Sequence, residues 1–125
     1  MEIRRAANLK TERRTGAVFE TQAHKRAGFS EPFDDKVLST GEVVFAPRER
    51  TNIHQHTVCQ MIYITSGTGI VATVDEEFVV SEGDWVSIPP DEPHWHVATD
   101  TEEFRHISIV IRDPEHDGTV ALSDE

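Results

Sequence analysis

The chain has 125 residues, one cysteine and a net charge of −11, from 23 Asp and Glu against 12 Lys and Arg. That length makes one domain able to bury a core without disulfide or metal staples, and a single cysteine excludes an internal disulfide framework and favours a reducing compartment. The acidic balance argues against nucleic-acid binding, because phosphates are repelled, and no apolar run approaches the ~18 residues that span a bilayer.

The charge is uneven. Residues 1–26 carry seven basic against three acidic side chains, and the remainder carries five against twenty. The basic start reads as an arm that docks on an acidic surface of its own body or of a partner subunit, with RNA contact as the lesser reading. No signal-peptide apolar core follows Met1-Glu2-Ile3-Arg4-Arg5, so the expected location is cytoplasmic. Residues 1–16 show no sustained period and predict at most a short strand near Ile3. Val18 and Phe19 predict an edge strand within 15–21, and His24, Lys25 and Arg26 read as loop. Residues 28–35, with Pro32 and paired acids, read as a turn or loop. His24 is expected to be solvated unless the arm folds over the rest.

From Val37 onward, short β-rich segments recur between turn signals. Val43 to Ala46 is a strand ended by Pro47, with Val43 and Phe45 on one face as core or pocket floor. Residues 54–56 form a second, and Gln60 to Thr65 a third in which Gln60, Ile62 and Ile64 share a face. Ser66-Gly67-Thr68-Gly69 is a turn. Ile70 to Val74 and Glu77 to Val80 make a hairpin around Asp75-Glu76, and Glu82-Gly83-Asp84 leads into Trp85 to Ile88. A further strand runs from about Pro93 to Ala98, and Phe104 to Ile111 closes the series. The tail from Pro114 is acidic and weakly apolar and reads as loose. The organisation is thus an arm and edge strand over 1–36, a β-barrel over 37–112 and an acidic tail over 113–125. Many short strands must hide their edges, and a jelly roll does so by packing two sheets face to face.

Two segments carry chemistry. In a strand, His54 and His56 point the same way, so two imidazoles converge. Gln60 can add an amide oxygen, and His94 arrives from a distant strand. Three nitrogens and one oxygen make a workable shell for a divalent first-row metal, with positions open for substrate or water. His96 lies on the same strand face as His94. His106 shares a face with Ser108 and Val110, and points to the same cavity if that face is inward. Either histidine is a candidate proton acceptor or donor, against the plainer reading of a buried polar residue that only orients ligands.

The spacing His54-x-His56-x3-Gln60-x6-Gly67, followed by Gly83-x5-Pro89-x-Asp91-x2-His94, resembles the two motifs of the cupin superfamily. Arg48 and Asp91 stand where those motifs carry Gly, Gln60 stands for Glu, and Ala98 stands for Asn. Gln60, the Arg50-Thr51 pair and the Pro89-Pro90-x4-His94-Trp95-His96 ending look like a narrower group, the small cupins described as carboxymuconolactone decarboxylase-like, which includes manganese-dependent hydroxynitrile lyases. The resemblance implies an all-β, double-stranded β-helix (jelly-roll) barrel with an N-terminal arm, and two facing motif strands that share one metal. It also implies histidines near the metal at positions 96 and 106, and a homodimer. Thr57-Val58-Cys59, Ile53 and Val97 depart from that group and reshape the pocket wall.

With four neutral ligands nothing cancels the ion's charge, so the centre should favour anionic or carbonyl-oxygen ligands and Lewis-acid chemistry over redox chemistry. Mn(II) is the first expectation, with Fe(II), Ni(II) and Zn(II) behind it. The function expected is a metal-dependent lyase or isomerase on a small carbonyl or cyanohydrin-like substrate. The alternatives are a cupin dioxygenase and a non-catalytic small-ligand sensor. Arg50 is a lesser candidate for a substrate carboxylate. Cys59, Trp85 and Trp95 read as structural.

Overall fold

A computed structural model of the protein describes residues 1–122. Alternation sets its inner surface: Gln60, Ile62 and Ile64 are buried while Met61 is exposed, and His94, His96 and Ala98 are buried while Trp95 and Val97 are only partly so. Eleven strands form among the described residues: β1 (Thr11–Arg14), β2 (Ala23–Phe33), β3 (Lys36–Phe45), β4 (His54–His56), β5 (Gln60–Ser66), β6 (Thr68–Thr73), β7 (Glu77–Ser81), β8 (Trp85–Ile88), β9 (His94–Ala98), β10 (Phe104–Arg112) and β11 (Thr119–Ala121). Six make one antiparallel sheet in the order β1-β2-β3-β10-β5-β8, and five make the other in the order β11-β4-β9-β6-β7. This is the jelly roll expected, with a core of Ala23, Phe45, Ile62, Ile64, Val71, Val80, Ile88, Ala98 and Phe104 between the sheets.

Four local expectations are corrected. Residues 23–33 are not loop but the long strand β2, joined to β3 by a two-residue turn in which Asp34 has φ 53° and Phe33 pairs with Lys36. Its mixed polar sequence hides the alternation, and β1 covers it only from Ala23 to Arg26, which leaves Pro32 on an open edge where no donor is required. Val18 and Phe19 form no strand; Phe19 makes a single bridge to Thr51. The arm's ordered pieces are β1 and a short 3-10 turn at Ala6–Asn8 rather than a strand near Ile3. The tail is not loose where it is described: β11 pairs with β4, placing Thr119 opposite His56 and Ala121 opposite His54. Residues 123–125 lie outside the described residues.

Arg48 and Asp91 both adopt positive φ, 72° and 64°. This explains in geometric terms why glycine suits those two motif positions. Gly67 is more constrained. It has φ +79°, and an added Cβ would lie 1.9 Å from the Glu103 carbonyl oxygen, whereas at Gly83, with φ +93°, a Cβ would meet nothing within 4 Å. Gly67→Ala is therefore expected to destabilise the protein by about 2–3 kcal/mol and Gly83→Ala by about 1 kcal/mol, since only the first adds a backbone clash to the left-handed penalty. Urea unfolding of the two variants checks this, and equal losses would contradict it.

Candidate metal centre and cavity

Three imidazoles meet where β4 and β9 run side by side. His54 and His94 are directly opposite each other in the ladder, and His56 follows two residues after His54 on the same face. One ring nitrogen from each of the three lies within 4.8 Å of the other two. The two motif strands are thus neighbours in one sheet rather than facing strands. What faces them is the other sheet, which contributes Gln60 from β5 and His106 from β10.

The rings are held by their inner nitrogens. His54 Nδ1–H donates to the Asn52 carbonyl at 2.8 Å and His94 Nδ1–H to the Glu92 carbonyl at 2.9 Å, the same two-residue step back along the chain. His56 Nδ1 lies 3.0 Å from Thr119 Oγ1, across the β4–β11 pair. These partners assign the proton to Nδ1 of His54 and His94, which leaves the Nε2 lone pair free. Among the described residues, the Nε2 atoms of His56 and His94 are buried without a hydrogen bond of good geometry, as is Gln60 Oε1, although Gln60 lies close enough to His56 to raise its pKa against the effect of burial. Gln60 turns its oxygen that way because its Nε2 donates to Ser108 Oγ at 2.8 Å. Buried polar atoms left unpaired are costly, and several converging on one space fit a cation. His54, His56, Gln60 and His94 would hold it.

Burial dominates the acid–base behaviour. It pushes His54 down to about 3 and His56 to about 4, lowers His94, and holds His96 well below its ordinary value. His106 is pushed down to about 4, again chiefly by burial. All five are neutral at pH 7, the form in which an imidazole ligates a metal or accepts a proton.

The cavity these groups line has a volume of about 500 Å³. Its floor is the Phe45 ring, which lies 6.5 Å from the His96 ring and 6.0 Å from that of His106, while the two imidazoles are 5.4 Å apart. His96 Nδ1 and both ring nitrogens of His106 have no hydrogen-bond partner among the described residues. Val43 also lines the space. Arg50 does not reach it; its guanidinium pairs with Glu20 at 2.6 Å. His24 is half-buried on β2, where alternation gives the cavity wall to Lys25 instead. Cys59 is exposed, Trp95 is half-buried, and Trp85, 66% exposed, lies against Tyr63 on the outer surface rather than in a core. Sequence reasoning missed Thr119, for which no local signal exists, and the role of Ser108, whose place on the His106 face was its only signal.

Comparison with known proteins gives the following. A family model described as "Cupin domain" matches residues 41–110. An (R)-mandelonitrile lyase of Granulicella tundricola is 32% identical over 80 residues, covering 61% of this chain and 59% of that protein. An uncharacterised protein of Methanocaldococcus jannaschii is 35% identical over 57 residues, covering 45% of this chain and 46% of its own length. The chain thus spans well under two thirds of either relative. Among solved structures, a cupin-like protein from Thermotoga maritima superimposes with TM-score 0.76 at 27% identity, covering 89% of this chain and 84% of that one. The polyketide cyclase RemF from Streptomyces resistomycificus gives TM-score 0.82 at 21% identity over 99% of this chain and 88% of that one, a likeness of fold alone. No helix among the described residues is long and apolar enough to cross a membrane.

Proposed function

The chain belongs to the cupin family, and from that premise we propose that it is a metal-dependent enzyme with lyase or isomerase chemistry on a small carbonyl- or cyanohydrin-like substrate. The observation that carries this reading is the set of buried, unpartnered acceptors, His56 Nε2, His94 Nε2 and Gln60 Oε1, above a floor where His106 has no partner for either ring nitrogen. The distant relative named as a mandelonitrile lyase supports the lyase direction. Mn(II) is the favoured ion, because the set includes a hard amide oxygen. A divalent ion bound there supplies Lewis-acid polarisation of a substrate oxygen.

The chain's own residues supply the rest. His54, His56, Gln60 and His94 fix where the substrate oxygen sits, and Phe45 and Val43 exclude water from beneath it. His106, neutral at pH 7, accepts the proton, and His96, 5.4 Å away, is the second group able to do so. In cyanohydrin cleavage the hydroxyl proton passes to the imidazole. The bond to the nitrile carbon breaks with its electron pair on cyanide, the carbonyl forms, and cyanide leaves with the proton as hydrogen cyanide.

Elemental analysis of protein purified without added metal, repeated on His54→Ala and Gln60→Ala, tests the centre. Cyanohydrin and enolisable carbonyl substrates assayed with His106→Ala test the proton transfer. The expected result is one ion per chain in the wild type, loss of it in His54→Ala, and a roughly 10²–10⁴-fold fall in turnover for His106→Ala with the ion retained. Turnover that consumes molecular oxygen would replace this reading with a dioxygenase. Unchanged ligand affinity in His106→Ala, with no turnover of any substrate by either protein, would replace it with a sensor.

A further inference from the structure

The wall opposite the β4 and β9 histidines carries charge that none of this chemistry uses. Lys25, Arg112 and Arg14 all line the cavity, against one acidic residue, Asp117. The lining therefore sums to +2, from three cations less one anion, in a chain whose total is −11. Elsewhere in the barrel the cations are matched: Arg26, Lys36, Arg48, Arg50 and Arg105 each have a carboxylate within 4 Å. Between residues 23 and 112, Lys25 and Arg112 alone have none among the described residues.

Burial and Arg14 lower the Lys25 pKa by more than Asp117 and Glu12 raise it, and each of these acids has another partner. Asp117 Oδ1 accepts from the Thr119 amide at 2.9 Å, and Glu12 pairs with Arg14 at 3.3 Å. Arg112 Nη1 donates to the carbonyls of Asp113 and Pro114, at 3.1 and 3.4 Å, which fixes its guanidinium without neutralising it. Lys25 is half-buried, and burial, followed by the charge of Arg14, lowers its pKa. A partly desolvated ammonium beside Arg112, which has no carboxylate partner, and Arg14, which shares Glu12, leaves net positive charge that a further anion would offset.

The backbone is shaped to hold that ammonium inward. Lys25 pairs with Val43, and Val43 with His106, so two inter-strand steps of about 4.8 Å separate Lys25 from His106 in one row of the sheet. The side chain leans over Gly41, the residue paired with Ser108, which in turn orients Gln60. A Cβ at position 41 would lie 2.8 Å from Lys25 Cε, so glycine leaves the space the lysine occupies.

We propose that Lys25, with Arg112 and Arg14, forms a carboxylate-binding subsite in the cavity wall, and that the substrate is a small molecule bearing a carboxylate a few bonds from the oxygen held at the histidines. This deepens the reading above and rests on it for the reacting end, whereas the subsite itself rests on the wall. Carboxylate is favoured over phosphate because this wall is strand. Its backbone amides are engaged in the ladders and offer no amide nest for a phosphoryl group.

The test is calorimetric titration of the protein, with its ion content measured in parallel, using succinate, its neutral diamide succinamide, and inorganic phosphate. The same titrations are run on Lys25→Met and Gly41→Ala. Succinate is expected to bind at least tenfold more tightly than succinamide. Lys25→Met should lose roughly 10- to 100-fold in succinate affinity, the value of a charge-assisted contact, and Gly41→Ala, which only shifts the flexible lysine, a few-fold, with ion content unchanged in both. Lys25→Met should also melt at or above the wild-type temperature, since it removes an unpaired charge. Gly41→Ala keeps the lysine but displaces it, so the two variants reach the same site by different routes. Equal binding of succinate and succinamide, wild-type succinate affinity in both variants, or tighter binding of phosphate than of succinate would overturn the proposal. Protein that holds no ion but still loses succinate binding in Lys25→Met would leave the subsite standing and refute the metal centre.

Discussion

His94→Ala is expected to lower affinity for a divalent first-row ion by at least about 100-fold, as read by equilibrium dialysis with elemental analysis. His94, like His54, touches both other members of the cluster, with ring centroids 4.4 Å from His54 and 5.2 Å from His56. It is 1% exposed, and its Nε2 has no partner. Removing it leaves two imidazoles and an amide, one nitrogen short of the set that surrounds the space. Thr119→Val should act more mildly, by roughly tenfold, because it leaves the ligand in place and removes only the group that steadies His56 through Nδ1. Valine suits a strand, so β11 should still pair with β4 and the fold should survive. If His94→Ala keeps a stoichiometric ion at wild-type affinity, the four-ligand centre is wrong.

Metal-stripped protein is expected to unfold cooperatively as the pH falls toward about 5, and saturating divalent ion should move that midpoint lower. Folded, His56 and His106 titrate near 4 and His54 near 3, all through burial; unfolded, each returns to about 6.5. The unfolded chain therefore binds protons first as the pH drops. Stability is whole above about 6.5 and is lost progressively down to the folded values. At pH 5 each of the three favours unfolding by about 2 kcal/mol, roughly 6 kcal/mol together, against a total of ~5–15 kcal/mol for a domain of this kind. A bound ion opposes this because it requires unprotonated imidazoles. Urea denaturation at pH 7, 6 and 5, with chelator and with ion, measures the slope. His106→Leu should flatten it by about one histidine's share, and a slope indifferent to both changes would contradict the burial argument.

The site was legible to different depths for physical reasons. His54, His56 and His94 could be read because strand alternation is a local rule and the motif spacing preserves it. Gln60 could be read as a candidate ligand, but which amide atom faces the histidines depends on Ser108, 48 residues away. β2 was misread because one of its faces lines a polar cavity, so Lys25 stands where an apolar residue would have marked a strand. The acidic composition of the tail suggested disorder, yet β11 meets an unpaired edge of β4, and ladder hydrogen bonds outweigh the lack of apolar side chains.

The sequence by itself determined an all-β chain with two segments whose inward faces carry histidines, since pleat, turn chemistry and spacing act over a few residues. Only the tertiary structure decided that the two segments are neighbours in one sheet, that Thr119 Oγ1 meets His56 Nδ1, and that Lys25 and Arg112 face the β4 and β9 histidines across a cavity. Those relations arise when strands distant in the chain come to lie 4–5 Å apart, and no local pattern records which strand a given edge will meet.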